Sequence, residues 1–466
     1  MKPPRPRRHP IQLPAHLRER DLYLDHGKAL REKVRRTSHA DFKPGKHRAD
    51  PVKLLVESSK GRVKALLPIR YGRMLASPFA FYRGATAIMA YDLSHTPVTG
   101  EYVQACGDCH LANFGGFATA ERRLIFDIND FDETLPAPWE WDVKRLAASF
   151  VIAGRNNGFK ERAAKDMAEA CVRSYRQHMS DFSKMTAMEV WYARLDMATV
   201  LKAFSDKAAR ERGRKLIMKQ VERSVIAEDY PALVDADSRT PRIRDQPPLI
   251  FHVSKERQRA FAKSVNAAFN AYRSTLSEDR RMLLDRFQVI DVASKVVGVG
   301  SVGTRCGIML LMAGPSDALF LQVKEARVSV LEAYAGKSRH ANRGERVVVG
   351  QRLMQSASDL FLGWTAGRKE RHFFVRQLRD MKIKPHIEAY DPDLMQDYAA
   401  VCGWTLARAH ARAGNSGIIS GYLGASPAFD EAVADFAVAY ADQNEADHAA
   451  LAKAVRSGKL DAFIER

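Results

Sequence analysis

The stretch CGDCHLANFG at residues 106–115 packs two thiols, a carboxylate, an imidazole and a carboxamide into one short segment. Three chemistries fit those residue types. The spacing Cys106-Gly-Asp-Cys109-His110 suits covalent haem attachment. The same Cys pair is half of a four-ligand zinc site. Asp108 followed by His110 and Asn113 suits phosphoryl transfer, in which a carboxylate takes the proton of an acceptor hydroxyl and a carboxamide oxygen helps hold Mg²⁺. The rest of the chain separates them. Haem attachment belongs outside the cytoplasm, and MKPPRPRRHPIQLP lacks the apolar segment of a secretory signal. Zinc needs a second close pair, whereas Cys171, Cys306 and Cys402 are scattered. Phosphoryl transfer gains a further acid, because Asp130 ends the apolar run LIFDIND where a metal-binding Asp is required, with Asp127 and Asp132 beside it.

A second group of residues lies far downstream. VVGVGSVGTR places Gly298, Gly300 and Gly303 after an apolar strand, and glycines let backbone N–H groups approach phosphate oxygens closely. A dinucleotide site would need a helix next. The chain instead breaks at Gly314-Pro315-Ser316-Asp317, which predicts two strands joined by a turn. Lys324 sits on the later strand as a fixed positive charge for phosphates. That order resembles the nucleotide lobe of protein kinases, which implies an acid to position Lys324, with Glu345, opening the helix RGERVVVGQRLMQSAS, the choice over Glu332, and residues 377–380 as a hinge against adenine. Arg70, Arg73 and Arg83, interleaved with Phe79, Phe81 and Tyr82, read equally as an anion-binding cluster or a helix surface. His410 reads as a packed helix residue.

The motifs GDCHLAN, NDFDE and WDVKRLA together resemble the HGDxHxxN…IDFxD…DLA series of aminoglycoside and choline phosphotransferases, members of the protein-kinase-like superfamily. The resemblance implies a Mg²⁺- and ATP-dependent phosphotransferase acting on a hydroxyl of a small molecule. Asp108 would be the base, Asn113 and Asp130 the metal ligands, and Asp142 a support for the catalytic loop from the next helix. Lys324 and the glycine loop would hold ATP. The chain departs from the pattern at Cys106, where those enzymes often carry His. The longer stretch from PIRYGRMLASPFAFYRG to WDVKRLAAS also resembles a bacterial family known as domain of unknown function 2252, over most of the chain from about residue 50.

The elements that must position these residues come in an unusual order. Residues before Asp108 read as helices, and the β-rich segment with the glycine loop follows the motifs instead of preceding them. The expected fold is α+β: a protein-kinase-like two-lobed fold, circularly permuted. Residues 1–50 read as a basic, loosely ordered leader and 51–240 as a helical lobe with the catalytic loop and metal Asp. A boundary at ADSRTPRIRDQPP leads to a β-rich nucleotide-binding lobe, 241–390. Helices of 391–466 would pack back on the catalytic lobe.

Composition bounds the remaining choices. With 46% hydrophobic and 28% charged residues, the 466-residue chain has ample material for a core. No stretch reaches the roughly 18 uninterrupted apolar residues of a membrane helix. Five scattered cysteines suit reduced thiols and a cytoplasmic location. The net charge of +19 raises nucleic acid as a partner, but 14 Lys/Arg against 6 Asp/Glu lie in residues 1–50 without any recognition motif. Nucleic acid is thus the weaker reading. A nucleotide-binding regulator without turnover, and nucleotidyl instead of phosphoryl transfer, fit the same residues.

Overall fold

The computed structural model describes residues 20–464 apart from 46, 223–229, 236–240, 253–254, 297, 369 and 379–381. Proline and capping residues start the early helices. Pro51, Pro68 and Pro78 sit in the first turns of Pro51–Ser59, Leu67–Leu75 and Pro78–Gly84. The Asp50 and Ser77 side chains accept from backbone N–H groups at two of those starts, satisfying donors that have no partner within the helix. Thr86–Leu93 completes this helical segment.

The expected loose leader differs from what is seen. Residues 1–19 lie outside the described residues, but Arg20–Lys33 is a helix. Gly27 lets it lie directly on the helix Ser416–Leu423, since a Cβ there would stand 2.0 Å from the Ile418 carbonyl oxygen. Arg31 Nε donates to the Tyr422 carbonyl (2.9 Å) and Arg36 Nη1 to that of Leu423 (2.6 Å), closing that helix's C-terminal end. Basic residues that look like a solvated arm in sequence are therefore helix caps. The charge pattern hid this because the helix buries only Gly27 and Leu30, too few to register as an apolar stripe.

Strand Tyr102–Ala105 pairs antiparallel with Leu135–Pro138, and between them runs the hairpin Phe114–Ala118/Leu124–Ile128. The helix Trp139–Asn156 follows, with every residue from Trp139 to Gly154 buried. It packs on Glu161–Phe182, which in turn meets Pro392–Ala413 and Ala428–Arg456. The C-terminal helices thus return to the segment carrying the first motif.

Downstream lies a six-stranded antiparallel sheet in the order Gly363–Ala366, His372–Gln377, Asp317–Ala326, Cys306–Gly314, Gln288–Lys295, Ile250–Phe251. Both of its faces are covered. Ile308 and Leu310 enter one apolar cluster, Met309 and Leu311 the other, so the run IMLLM shows no polar alternation although its side chains alternate in direction. The Gly-Pro-Ser-Asp break is the hairpin between two central strands. The largest core cluster runs from Leu30 to Ala441 and includes Ala326, Val347 and Phe374 from the sheet side. Part of the sequence boundary, 236–240, lies outside the described residues. Among the described residues, no helix is long and apolar enough to cross a membrane.

Arg48 ties the chain ends together. Its guanidinium bonds Asp92 (2.7 Å) and Asp447 (2.6 Å), and both carboxylates are buried. Removing one partner of a buried ion pair leaves charge without compensation, at about 3–5 kcal/mol. Arg48→Ala is expected to lower unfolding free energy by about that amount in urea titration. A loss below about 1 kcal/mol would show that the two carboxylates find other partners.

Candidate active site

Strand Tyr102–Ala105 delivers the chain into a tight loop. Gly107 has φ of +80°, and a Cβ there would stand 2.6 Å from the Glu133 carbonyl oxygen, so only glycine fits. One face of helix Trp139–Asn156 then holds the loop in register. Cys106 N–H donates to Asp142 Oδ2 (2.7 Å) and Gly107 N–H to Asp142 Oδ1 (3.0 Å). One turn on, Arg145 Nε donates to Asp108 Oδ1 (2.8 Å). A further turn on, Ser149 Oγ accepts from Leu111 N–H (3.0 Å). Residues spaced by three and four share a helix face, so three side chains read successive loop residues.

Arg145 and the Thr86 hydroxyl both bond the Asp108 carboxylate. Arg145 occupies Oδ1, while His110 Nε2 lies 4.0 Å from Oδ2. Burial pushes the Asp108 pKa up and Arg145 opposes it. Burial, then the Arg145 and Arg83 charges, hold His110 well below its ordinary pKa, hence neutral.

Asn113 Nδ2 donates to the Asp108 carbonyl (2.9 Å). Asn129 N–H donates to the Asn113 carbonyl (2.8 Å) and carries the chain to Asp130 at the end of the hairpin. Lys324, from the third strand of the six-stranded sheet, reaches across to this segment. Its Nζ is 2.5 Å from Asp132 Oδ2 and 4.0 Å from Asp130 Oδ2. Burial disfavours the charged lysine, but Asp130 and Asp132 outweigh it and raise its pKa. Asp130 is lowered, since Lys324 and Arg376 overcome burial; Asp132 is raised, by burial and then by Asp130. Asp132 Oδ1 is buried without a hydrogen-bond partner among the described residues. Asn113, Asp130 and Asp132 all line the cleft and carry oxygen donors, the ligand type Mg²⁺ prefers.

The glycine turn closes the other wall. Val296 and Val302 pack with Ile69, pinning the turn to helix Leu67–Leu75, and Ser301 Oγ donates to Asp132 Oδ2 (3.1 Å). Gly298 and Gly300 line the cleft, and a Cβ on Gly298 would meet open space. Gly303 lies outside the lining; its φ of +85° turns the chain into the next strand. The cleft encloses about 1010 Å³ and brings Asp108, Asn113, Asp130, Gly298, Gly300 and Lys324 together.

Other residues singled out from the sequence lie elsewhere. Glu345 sits in the first turn of helix Arg343–Met354 with His340 at 3.6 Å, and no pair to Lys324 is seen. Glu332 accepts from Ser329 N–H (3.4 Å). The acid that reaches Lys324 is Asp132, because helix Arg343–Met354 is held by the neighbouring residue: Arg346 Nη2 donates to the Asp132 (2.8 Å) and Arg327 (2.9 Å) carbonyls. Asp127 is fully buried and bonded to Arg408 (2.5 Å) and Ser356 N–H (2.9 Å), away from the cleft. Arg70 bonds Ser59 Oγ and the Gly84 carbonyl. Phe81 and Tyr82 are core residues, while Arg73 and Arg83 line the cleft. His410 is buried, with Nε2 at 3.3 Å from Asp142 Oδ2 and Nδ1 at 2.9 Å from the Tyr175 hydroxyl, so it supports the loop indirectly. Of the proposed hinge, 379–380 lie outside the described residues.

The haem and zinc readings lose ground here. Cys106 and Cys109 are wholly buried in the core. Both sulfurs lie within 4.8 Å of an Asp142 oxygen, but Asp142 already accepts two backbone N–H groups. Burial raises both thiols, Cys109 to about 12, so neither is a ready thiolate ligand.

Sequence reasoning missed Arg145, Ser149, Arg346, Arg376 and Lys382. For the first two a signal existed: they follow Asp142 at helical spacing in DVKRLAAS. Arg376 donates to Gln322 Oε1 (3.0 Å) and to the Asn129 carbonyl (3.3 Å), bridging sheet and hairpin. Nothing in its local sequence indicates that span.

The chain matches, over residues 62–454, the family described as an uncharacterized protein conserved in bacteria, DUF2252, and belongs to it. No curated protein and no solved structure matches the chain.

Lys382 enters the cleft beside Asp130. Burial lowers its pKa to about 7, helped by Arg376, Lys384 and Lys324 and opposed by Asp130. Its positive charge is present below that value and lost above it. Sulfate, which does not titrate near neutrality, is therefore expected to bind several-fold more weakly at a pH of about 8 than at about 6. Calorimetric titration should show that slope in wild type and a flat profile in Lys382→Met. A slope that persists in the variant assigns it to another group.

Proposed function

We propose that this DUF2252 member is a phosphotransferase that moves the γ-phosphoryl group of ATP to a hydroxyl of a small molecule, on a kinase-like fold with its halves exchanged in chain order. The observation that carries this reading is the Lys324–Asp132 pair beside Asp130. It joins the sheet to the loop system of Asp108 and Asn113 in one cleft, although the two segments are far apart in sequence. Element order supports it too. From Gln288 to Ala413 the chain runs strand, glycine turn, two strands with Lys324, helix, two strands, then helix; Tyr102 to Pro138 supplies the catalytic loop and the metal-binding hairpin.

The residues divide the reaction. Gly298 and Gly300 offer backbone to phosphate oxygens, and Lys324 supplies their counter-charge. Mg²⁺, held by Asn113 Oδ1 and Asp130, would neutralise charge building up on the transferring phosphoryl group. Asp108 Oδ2 accepts the acceptor hydroxyl proton as the new oxygen–phosphorus bond forms and the bond to ADP breaks. Arg145 holds the other oxygen, so the base keeps one orientation.

Calorimetry with Mg²⁺-ATP tests this directly. Lys324→Ala and Asp130→Ala are each expected to weaken binding at least about tenfold (~1.4 kcal/mol). Asp108→Asn should bind ATP within about threefold of wild type and lose its ADP release. Wild type that ignores ATP would sink the reading, and ADP release surviving Asp108→Asn would remove Asp108 as base.

A further inference from the structure

Ten Lys and Arg side chains line the cleft against six Asp and Glu. Most of those cations are already engaged. Arg62 donates to the Val302 carbonyl, Arg70 to Gly84, Arg327 to Ser58 and Arg376 to Asn129, while Lys324 pairs with Asp132. Arg83 and Lys382 are different: neither makes a hydrogen bond or ion pair to a described residue. Lys382 stands with Lys324 and Arg376 around Asp130, at the phosphate end.

Arg83 comes from a different element, the helix Pro78–Gly84. Its guanidinium lies over the Phe79 ring (5.8 Å to the centroid), and the charged groups facing it are Asp108 and, on the rim, Glu388. Its carbonyl also backs the glycine turn, where a Cβ on Gly300 would come within 3.2 Å. The residue thus sits beside the glycine turn, and its side chain enters the cleft that Asp108 also lines. An arginine remains charged even when burial disfavours it, and its planar fork matches a carboxylate or phosphate two bonds at a time.

We propose that the acceptor is an anion: a hydroxyl compound bearing its own phosphate or carboxylate, which Arg83 grips so that the hydroxyl meets Asp108 Oδ2. A neutral polyol would leave a partly desolvated guanidinium unpaired. An amino sugar or choline-like cation would meet like charge, so the substrates of the enzymes that the motifs resemble are poor fits here. That the anion is also a phosphoryl acceptor rests on the phosphotransferase reading; the anion site itself does not.

The test titrates glycerol 3-phosphate, glycerate, glycerol and choline into the full-length protein. Wild type should bind at least one of the two anions with Kd of about a millimolar or tighter, and bind neither glycerol nor choline. Arg83→Gln should weaken the anion at least about tenfold, Arg83→Lys less, and Lys324→Ala less than about threefold; thermal melts check that each variant is folded. The two anions separate phosphate from carboxylate recognition. The proposal is overturned if neither anion binds, if binding follows Lys324 and ignores Arg83, or if glycerol or choline binds as tightly. Mg²⁺-ATP titrated into the same samples keeps the readings apart. ATP binding without Arg83-dependent anion binding removes the anionic acceptor alone. Arg83-dependent anion binding without ATP binding removes the phosphotransferase reading alone.

Discussion

The candidate site depends on one buried carboxylate. Asp142 accepts the N–H groups of Cys106 and Gly107 and is approached by His410 Nε2. A carboxylate only accepts hydrogen bonds. Burying such a charge is costly unless each lone pair finds a donor. The donors available are the backbone groups of the loop that presents Asp108. The electrostatic need of Asp142 and the geometry of the loop are therefore satisfied by the same bonds. His410 comes from helix Pro392–Ala413, so the last part of the chain helps set the first motif.

A second constraint links the sheet to that loop. Asp130 and Asp132 lie two residues apart, and repulsion between two half-buried carboxylates is relieved by Lys324. Arg346 and Arg376 add hydrogen bonds to main-chain carbonyls on either side, at Asp132 and Asn129. The sheet is thus held to the hairpin by three cations that approach from different elements. None of these contacts requires the two segments to be close in sequence.

The positive charge of the protein has two distinct uses. Arg31 and Arg36 close a helix end, and Arg48 neutralises two buried acids. The cleft cations face inward, where they bear on ligand charge. A net charge of +19 is therefore not one surface property. The buried thiols Cys106 and Cys109 act as small apolar groups under the loop, where an exposed pair would have been reactive.

Much of this was legible in the sequence because it is local. The strand, tight glycine and Asp108–Asn113 spacing form one continuous loop, and Asp142 follows at a helix start. The Gly-Pro-Ser-Asp break marks its hairpin by turn chemistry alone. Residues 20–33 were misread because a helix that buries Gly27 and Leu30 leaves almost no apolar periodicity. The partner of Lys324 was misassigned for a different reason. Glu345 and Asp132 are both acids at plausible places, and only the packing of helix Arg343–Met354, fixed through Arg346, decides which one reaches the ammonium. The sequence by itself determined which candidate groups stand together in each loop and how each is presented by its own few neighbours. Which cation meets which acid was decided only by tertiary structure, because charge pairing acts through space and leaves no spacing rule along the chain.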